Sequence, residues 1–263
     1  MVSTLVGSYA AIGDSFSEGM GDELPDGSPR GWADLVALGL AAAHASAGGS
    51  GFGYANFAIR GRLLGPILAE QLPPAIALGP ELLTLNGGGN DIMRPRVSVA
   101  ETADRLVDAA GEAAAAGIRV AIVSGADPTR HIPLGPLIRA RGDELAVAVR
   151  DRIAGTGIAF IDNWSDAALT DLRYWSIDRL HLNALGHARV AGNVLAGLGV
   201  AVPEASHAPH GDTEPDIARP RTAEYWRQYV LPWIGRRLTG RSSGDGRAAK
   251  RPTLLPVEVP PEI

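Results

Sequence analysis

The chain has 263 residues and a mass of 27.3 kDa, with 46% hydrophobic and 20% charged residues. That is length for one large domain or two small ones and apolar content for a packed core, which excludes disorder over the whole chain. No run approaches the roughly 18 apolar residues of a membrane span, and the absence of cysteine excludes a disulfide scaffold, a thiol nucleophile and thiolate metal sites. The net charge of −5 is unevenly spread. Residues 1–218 hold 15 Arg against 25 Asp and Glu, whereas residues 219–251 hold 9 Lys and Arg against Glu224 and Asp245. An acidic body carries a basic tail.

The N-terminal residues lack the basic region and long apolar stretch of a signal peptide, so the expectation is cytoplasmic residence. A strand is expected almost at once, at 9–12. Residues 32–47 read as a helix, with Leu35, Val36, Leu38 and Leu40 among alanines. Residues 54–58 read as a short strand and 63–78 as a helix broken at Pro73-Pro74. A strand at 81–85 precedes an Ala-rich helix at 99–116 that stops at Gly117. Residues 118–123 read as a buried strand, 137–153 as a helix with Leu145, Val149 and Ile153 on one face, and 158–161 as a fifth strand. Asn183 caps a last helix that ends near Leu198. Five short apolar strands alternating with helices predict an α/β fold, a mostly parallel sheet covered on both faces. In such sheets ligands gather at the carboxyl ends of the strands, near the switch in strand order.

The residues that follow the strands carry the chemistry. After the first comes Gly13-Asp14-Ser15-Phe16-Ser17, a hydroxyl where the chain should leave the sheet and enter a helix. After the second comes Asn56-Phe57-Ala58-Ile59-Arg60-Gly61, where Gly61 permits close backbone approach to a bound group. After the third comes Asn86-Gly87-Gly88-Gly89-Asn90-Asp91, whose glycines leave the Asn90 amide to serve as a donor to an oxyanion. After the fifth comes Asp178-Arg179-Leu180-His181, in which the carboxylate can accept the imidazole Nδ1–H and leave Nε2 as a base. Taken singly, each has an ordinary structural explanation as a cap, a turn, a loop or a surface polar pair. Together they fall in chain order at the place where a doubly wound sheet builds its site.

These four blocks resemble those of the SGNH (GDSL-type) hydrolase superfamily, over about residues 8–200. The motif reads Gly-Asp-Ser-Phe where the family commonly has Gly-Asp-Ser-Leu, and the third block carries an extra glycine. The resemblance implies a three-layer, flavodoxin-like α/β/α sandwich on a five-stranded sheet, occupying residues 1–202, and ester hydrolysis without a cofactor or metal. It assigns Ser15 as nucleophile, His181 as base and Asp178 as the acid that orients it. The Ser15 N–H, the Gly61 N–H and the Asn90 amide become the oxyanion hole. Asp14 is read as bracing its loop and His187 as structural. Loops 16–31, 91–98 and 126–136 are expected to shape the pocket, with Leu63, Met93 and Leu180 lining it.

The expected partner is a small ester with a short- to medium-chain acyl or acetyl group. One alternative is an acyltransferase that passes the acyl group to an acceptor alcohol. Another is a non-catalytic binding protein on the same fold. Residues 203–263 read as a linker and a basic, Pro-rich extension, helical at 222–238 and otherwise irregular. Tyr225, Tyr229 and Trp233 form a stripe in that helix, expected to pack on the core, with peripheral membrane contact as the sharper reading. Gly240-Arg241-Ser242-Ser243-Gly244 matches a nucleophile elbow but lacks a strand before it and a histidine after it. His207 and His210 have metal-like spacing without a third ligand. Nothing resembles a nucleic-acid-reading module, and oligomeric state is not legible.

Overall fold

The computed structural model describes residues 5–132, 134–200, 227, 231 and 243–259. Strand β1, Ser8–Ile12, leads into the one-turn helix α1, Ser15–Glu18, and then the long helix α2, Trp32–Ser46. Strand β2, Gly53–Asn56, is followed by three stacked turns: α3, Leu64–Pro66, a π-helical turn at Ile67–Gln71, and α4, Leu72–Ala77. Strand β3, Leu82–Leu85, leads into α5, Gly89–Ile92, and α6, Val99–Ala115. Then come β4, Arg119–Val123, α7, Gly135–Arg152, β5, Ala159–Ile161, and α8, Ala184–Gly197. A last strand, β6, spans Arg251–Pro256.

The sheet runs β5-β4-β3-β1-β2-β6. The first five strands are parallel, and β6 joins the β2 edge antiparallel, with Gly53 opposite Pro256 and a register shift between Tyr54 and Asn56. Strand order therefore reverses at β1, with β2 on one side and β3 on the other. Strand β1 is almost wholly buried and divides the core by its period of two. Tyr9 and Ala11 pack with Trp32, Val36 and Leu40 of α2 and Val190, Val194 and Leu195 of α8. Ala10 and Ile12 pack on the other face with Leu64, Leu72, Leu106 and Val149. This is the expected three-layer sandwich.

Two departures from the sequence reading have clear causes. The sheet has six strands, not five. The sixth comes from the extension that reads as irregular because Pro252 and Pro256 interrupt any strand pattern. On an edge strand a proline removes no interior ladder bond, so the segment pairs. The second concerns 63–78, where the irregularity precedes Pro73-Pro74. Leu72 N donates to Ile67 O, five residues back, and the prolines then sit in the first turn of α4, where a missing N–H removes nothing. The helix expected at 222–238 lies outside the described residues apart from Arg227 and Leu231. Among the described residues, no helix is long and apolar enough to cross a membrane.

The π-helical turn has a consequence at the sheet. It delivers the buried Gln71 side chain to Gly13, the residue that leaves β1. Gly13 N donates to Gln71 Oε1 at 2.8 Å and Gln71 Nε2 donates to Gly13 O at 3.0 Å. A Cβ at Gly13 would crowd Ser17 Oγ and the Asn86 carbonyl, so the position requires glycine. Gln71→Leu should leave the buried Gly13 N–H unpaired, the Gly13 C=O keeping its bond from Ile59 N at 3.2 Å, and cost about 1–3 kcal/mol of stability in urea unfolding. A loss below about 0.5 kcal/mol would show that water replaces the amide.

Candidate active site

The four blocks converge on one cavity of about 300 Å³ at the carboxyl ends of β1 and β3. Asp14, Ser15, Gly61, Asn90, Asp178 and His181 all line it. Leu63, Met93 and Leu180 line it as well. One part of its lining is apolar, built from Leu106 of α6, Ile138, Leu145 and Val149 of α7, Phe160 of β5 and Trp164.

Ser15 stands at the first position of α1. Asp14 caps that turn, its Oδ1 accepting from Phe16 N at 3.0 Å. Asp14 is buried, and desolvation pushes its carboxyl up to about 6, against the bond from Phe16 N and the attraction of His181. Among the described residues, neither the Ser15 N–H nor the Gly61 N–H donates to a protein acceptor. Ser15 N is one of the donors that every helix start leaves over. Gly61 has φ +73°, the left-handed region that glycine enters without penalty. The Asn90 amide is occupied, its Nδ2 donating to Asp14 Oδ2 at 3.0 Å and to the Arg62 carbonyl at 3.1 Å.

Asp178 and His181 sit in a tight loop between Ser176 and Leu182. Ser176 N donates to His181 O at 2.8 Å, closing the loop. Arg179 takes φ +60°, uncommon for a residue with a side chain, and this turns the chain sharply enough to bring the pair together. His181 Nδ1 lies 2.6 Å from Asp178 Oδ2. The other carboxylate oxygen, Oδ1, accepts from Ser176 Oγ at 2.7 Å, Leu180 N at 2.9 Å and His181 N at 3.0 Å. Desolvation is the largest effect on both groups and disfavours their charged forms. The pair overcomes it: Asp178 is held well below the usual carboxylate range, chiefly by His181 and then by the backbone donors. His181 is raised above its ordinary 6.5 by the charge and hydrogen bond of Asp178, with Asp14 adding and Arg60 opposing. With Nδ1 committed to the carboxylate, Nε2 is the nitrogen left for proton exchange.

His187 is a different kind of histidine. It is fully buried, its Nδ1 accepts from Trp32 N at 3.2 Å, and its Nε2 donates to Met20 O at 3.1 Å. Burial drives it down to about 4, so it is neutral and ties the loop after α1 to the start of α2. Among the described residues no cluster of three or more His, Asp or Glu could hold a metal ion.

Sequence reading missed three parts of this site. The apolar wall of α7 is indistinguishable in sequence from a core face. The Glu18–Arg60 pair, with Glu18 Oε1 2.9 Å from Arg60 Nε and Oε2 accepting from Arg60 N, joins residues 42 apart. Ser243, part of the discarded elbow-like motif, also reaches the cavity wall.

A doubly wound hydrolase-type sandwich with a carboxylate–imidazole pair and a serine on one cavity is the class that these features define. The chain belongs to the GDSL-like lipase/acylhydrolase family, whose profile matches residues 11–189, and is a carboxylic ester hydrolase. In fold it is similar to a catalytic mutant of Axe2, an acetylxylan esterase from Geobacillus stearothermophilus, at 19% identity and TM-score 0.62 over 78% of this chain and 100% of that one. It is similar to TesA at 23% identity and TM-score 0.57, over 73% and 97% of the two chains. It is also similar to a lipase from a goat rumen metagenome at 17% identity and TM-score 0.59, over 72% and 96%. No curated protein matches the chain.

The electrostatics make a titration prediction. Asp178 stabilises the imidazolium, so His181 should titrate above 6.5 in the wild type and lower in Asp178→Asn, where that charge is gone. Histidine ring NMR should follow both. An unchanged His181 titration in Asp178→Asn would show that the pair does not set its pKa.

Proposed function

We propose that the protein is a serine carboxylester hydrolase that works through a covalent acyl-enzyme on Ser15. The observation that carries the reading is the convergence of Ser15, the Asp178–His181 pair and two undonated backbone N–H groups on one largely apolar cavity. His181 Nε2 takes the Ser15 hydroxyl proton as Oγ attacks the ester carbonyl carbon. The carbonyl oxygen becomes an oxyanion and receives the Ser15 and Gly61 N–H groups. His181 then protonates the departing alkoxide, and water, deprotonated in turn by His181, releases the acid. Asp178 holds the ring in the required tautomer and stabilises the imidazolium.

Asn90 is the third oxyanion donor in this reading. Its amide must exchange a bond to Asp14 or to the Arg62 carbonyl for one to the oxyanion, so the two backbone donors are the ones that stand ready. Further support comes from the Geobacillus acetylxylan esterase. Its catalytic mutants replace a serine, an aspartate and a histidine, the aspartate three residues before the histidine, as Asp178 stands to His181.

The apolar wall favours an acyl chain of medium length over acetyl. Each methylene buried there is worth about 0.8 kcal/mol, roughly a three- to fourfold gain in kcat/KM until the cavity fills. On a panel of p-nitrophenyl esters, kcat/KM should climb from acetyl towards medium chains. Leu145→Trp should cut the longer esters at least tenfold and spare the acetyl ester. A wild-type preference for acetate that Leu145→Trp leaves untouched would overturn the chain-length assignment. Ser15→Ala and His181→Ala should each lose nearly all turnover while folded, with a smaller loss for Asp178→Asn. A fluorophosphonate probe should label Ser15, and a folded Ser15→Ala protein of near-normal activity would remove the nucleophile.

A further inference from the structure

Lys250 is the single lysine of the chain. It stands in the described C-terminal segment, one residue before β6, and its ammonium lies where three oxygens meet. Lys250 Nζ donates to Glu18 O at 2.6 Å, to Pro29 O at 3.0 Å and to Asp34 Oδ2 at 2.7 Å. An ammonium has three N–H donors, and all three are used. A planar guanidinium could not address three oxygens converging on one point, which gives a physical reason for lysine in a chain whose other 23 strong bases are arginine.

What Lys250 holds matters more than how. Glu18 is the last residue of α1, the turn that begins with Ser15, so the bond to Glu18 O fixes the far end of the turn that presents Ser15. The Glu18 side chain in turn accepts from the backbone N and the guanidinium of Arg60, the residue before Gly61. The same C-terminal segment bears on the Arg60 peptide from another side. Gly244 packs against it so closely that a Cβ there would collide with the Arg60 carbonyl oxygen and Ile59 Cγ2. Next to it, Ser243 lines the cavity. Beyond Lys250, β6 anchors the segment to β2, and Arg251 Nε donates to Tyr54 O at 2.8 Å. One strap thus touches both α1 and the Arg60–Gly61 peptide.

We propose that Lys250 is a positioning residue, through which the C-terminal strap fixes the Ser15 turn and the Gly61 oxyanion donor relative to each other. The proposal rests on the roles of Ser15 and Gly61 given under the proposed function. Displacements of about an ångström between reacting groups cost of the order of a hundredfold in rate, while the apolar wall of the cavity is built from α6, α7 and β5.

The test compares wild type, Lys250→Met and the double variant Lys250→Met/Asp34→Asn, which leaves no uncompensated carboxylate. Each is assayed for kcat, KM, the rate of fluorophosphonate labelling of Ser15, and Tm. The expected result is a 10- to 100-fold fall in kcat and a parallel fall in labelling rate in both variants, at temperatures where both are folded. KM should stay within about twofold and the pH profile should not move, because the Asp178–His181 pair is untouched. Lys250→Arg should not restore the rate. Folded variants with wild-type kcat and labelling rate, whatever their Tm, would overturn the proposal. So would a double variant that regains full activity, since the charge on Asp34 would then be the whole effect. Should the single variant not fold, the double variant decides alone; should neither fold, the milder Lys250→Gln, which keeps a polar donor but cannot reach all three oxygens, decides by the same kcat and labelling criteria. Failure of wild-type Ser15 to label is a separate outcome that removes the nucleophile reading itself.

Discussion

The site depends on how the chain leaves β1. A central parallel strand is buried on both faces, so its last peptide has no water to satisfy it, yet the chain must turn out of the sheet there. Gln71 resolves the conflict by accepting from the Gly13 N–H and donating to the Gly13 C=O, which also takes the Ile59 N–H at 3.2 Å. With that peptide fixed, Asp14 caps the next turn and Ser15 occupies its first position facing the cavity. The π-helical turn is the device that aims Gln71, so an irregularity on one side of the sheet sets the geometry on the other.

Three carboxylates at or near the cavity illustrate how environment separates identical groups. Asp178 accepts three N–H or O–H donors on one oxygen and faces an imidazole on the other, so it stays ionised. Asp14, with one backbone donor and deep burial, is pushed up instead. Asp91 is also raised by desolvation, and its Oδ2 accepts Leu64 N at 2.9 Å, pinning the start of α3 beside the Gly61 loop. Only the first stands where a permanent negative charge can steady a histidine. The apolar part of the cavity is set apart from these polar groups: Met93, Phe160 and Leu180 pack with Ile132, Ile138 and Trp164 into a small apolar cluster of their own.

Sequence patterning located the five parallel strands, most plainly the central ones buried on both faces, where Ala10–Ile12 and Leu82–Leu85 leave no doubt about apolar content. Strand β6 escaped because Arg251-Pro252-Thr253-Leu254-Leu255-Pro256 has neither period nor length, and only the open β2 edge makes it a strand. The kink near Pro73-Pro74 was legible as an irregularity but not as a π-helical turn, because the register depends on where Gln71 finds its partners. Likewise the Asn90 amide is identifiable from its block, while its bonds to Asp14 and the Arg62 carbonyl are not.

The sequence by itself determined the elements and the chemical vocabulary: a doubly wound sheet, a serine after the first strand, an aspartate three residues before a histidine. Those follow from local period, capping and turn chemistry, which act over a few residues. Tertiary structure alone decided that Lys250 reaches Asp34 across 216 residues of chain, that the α7 face which packs into the core also lines a cavity, and that Ser243 returns to it. Such contacts depend on which surfaces are left open once the sheet has formed, and no local pattern records that.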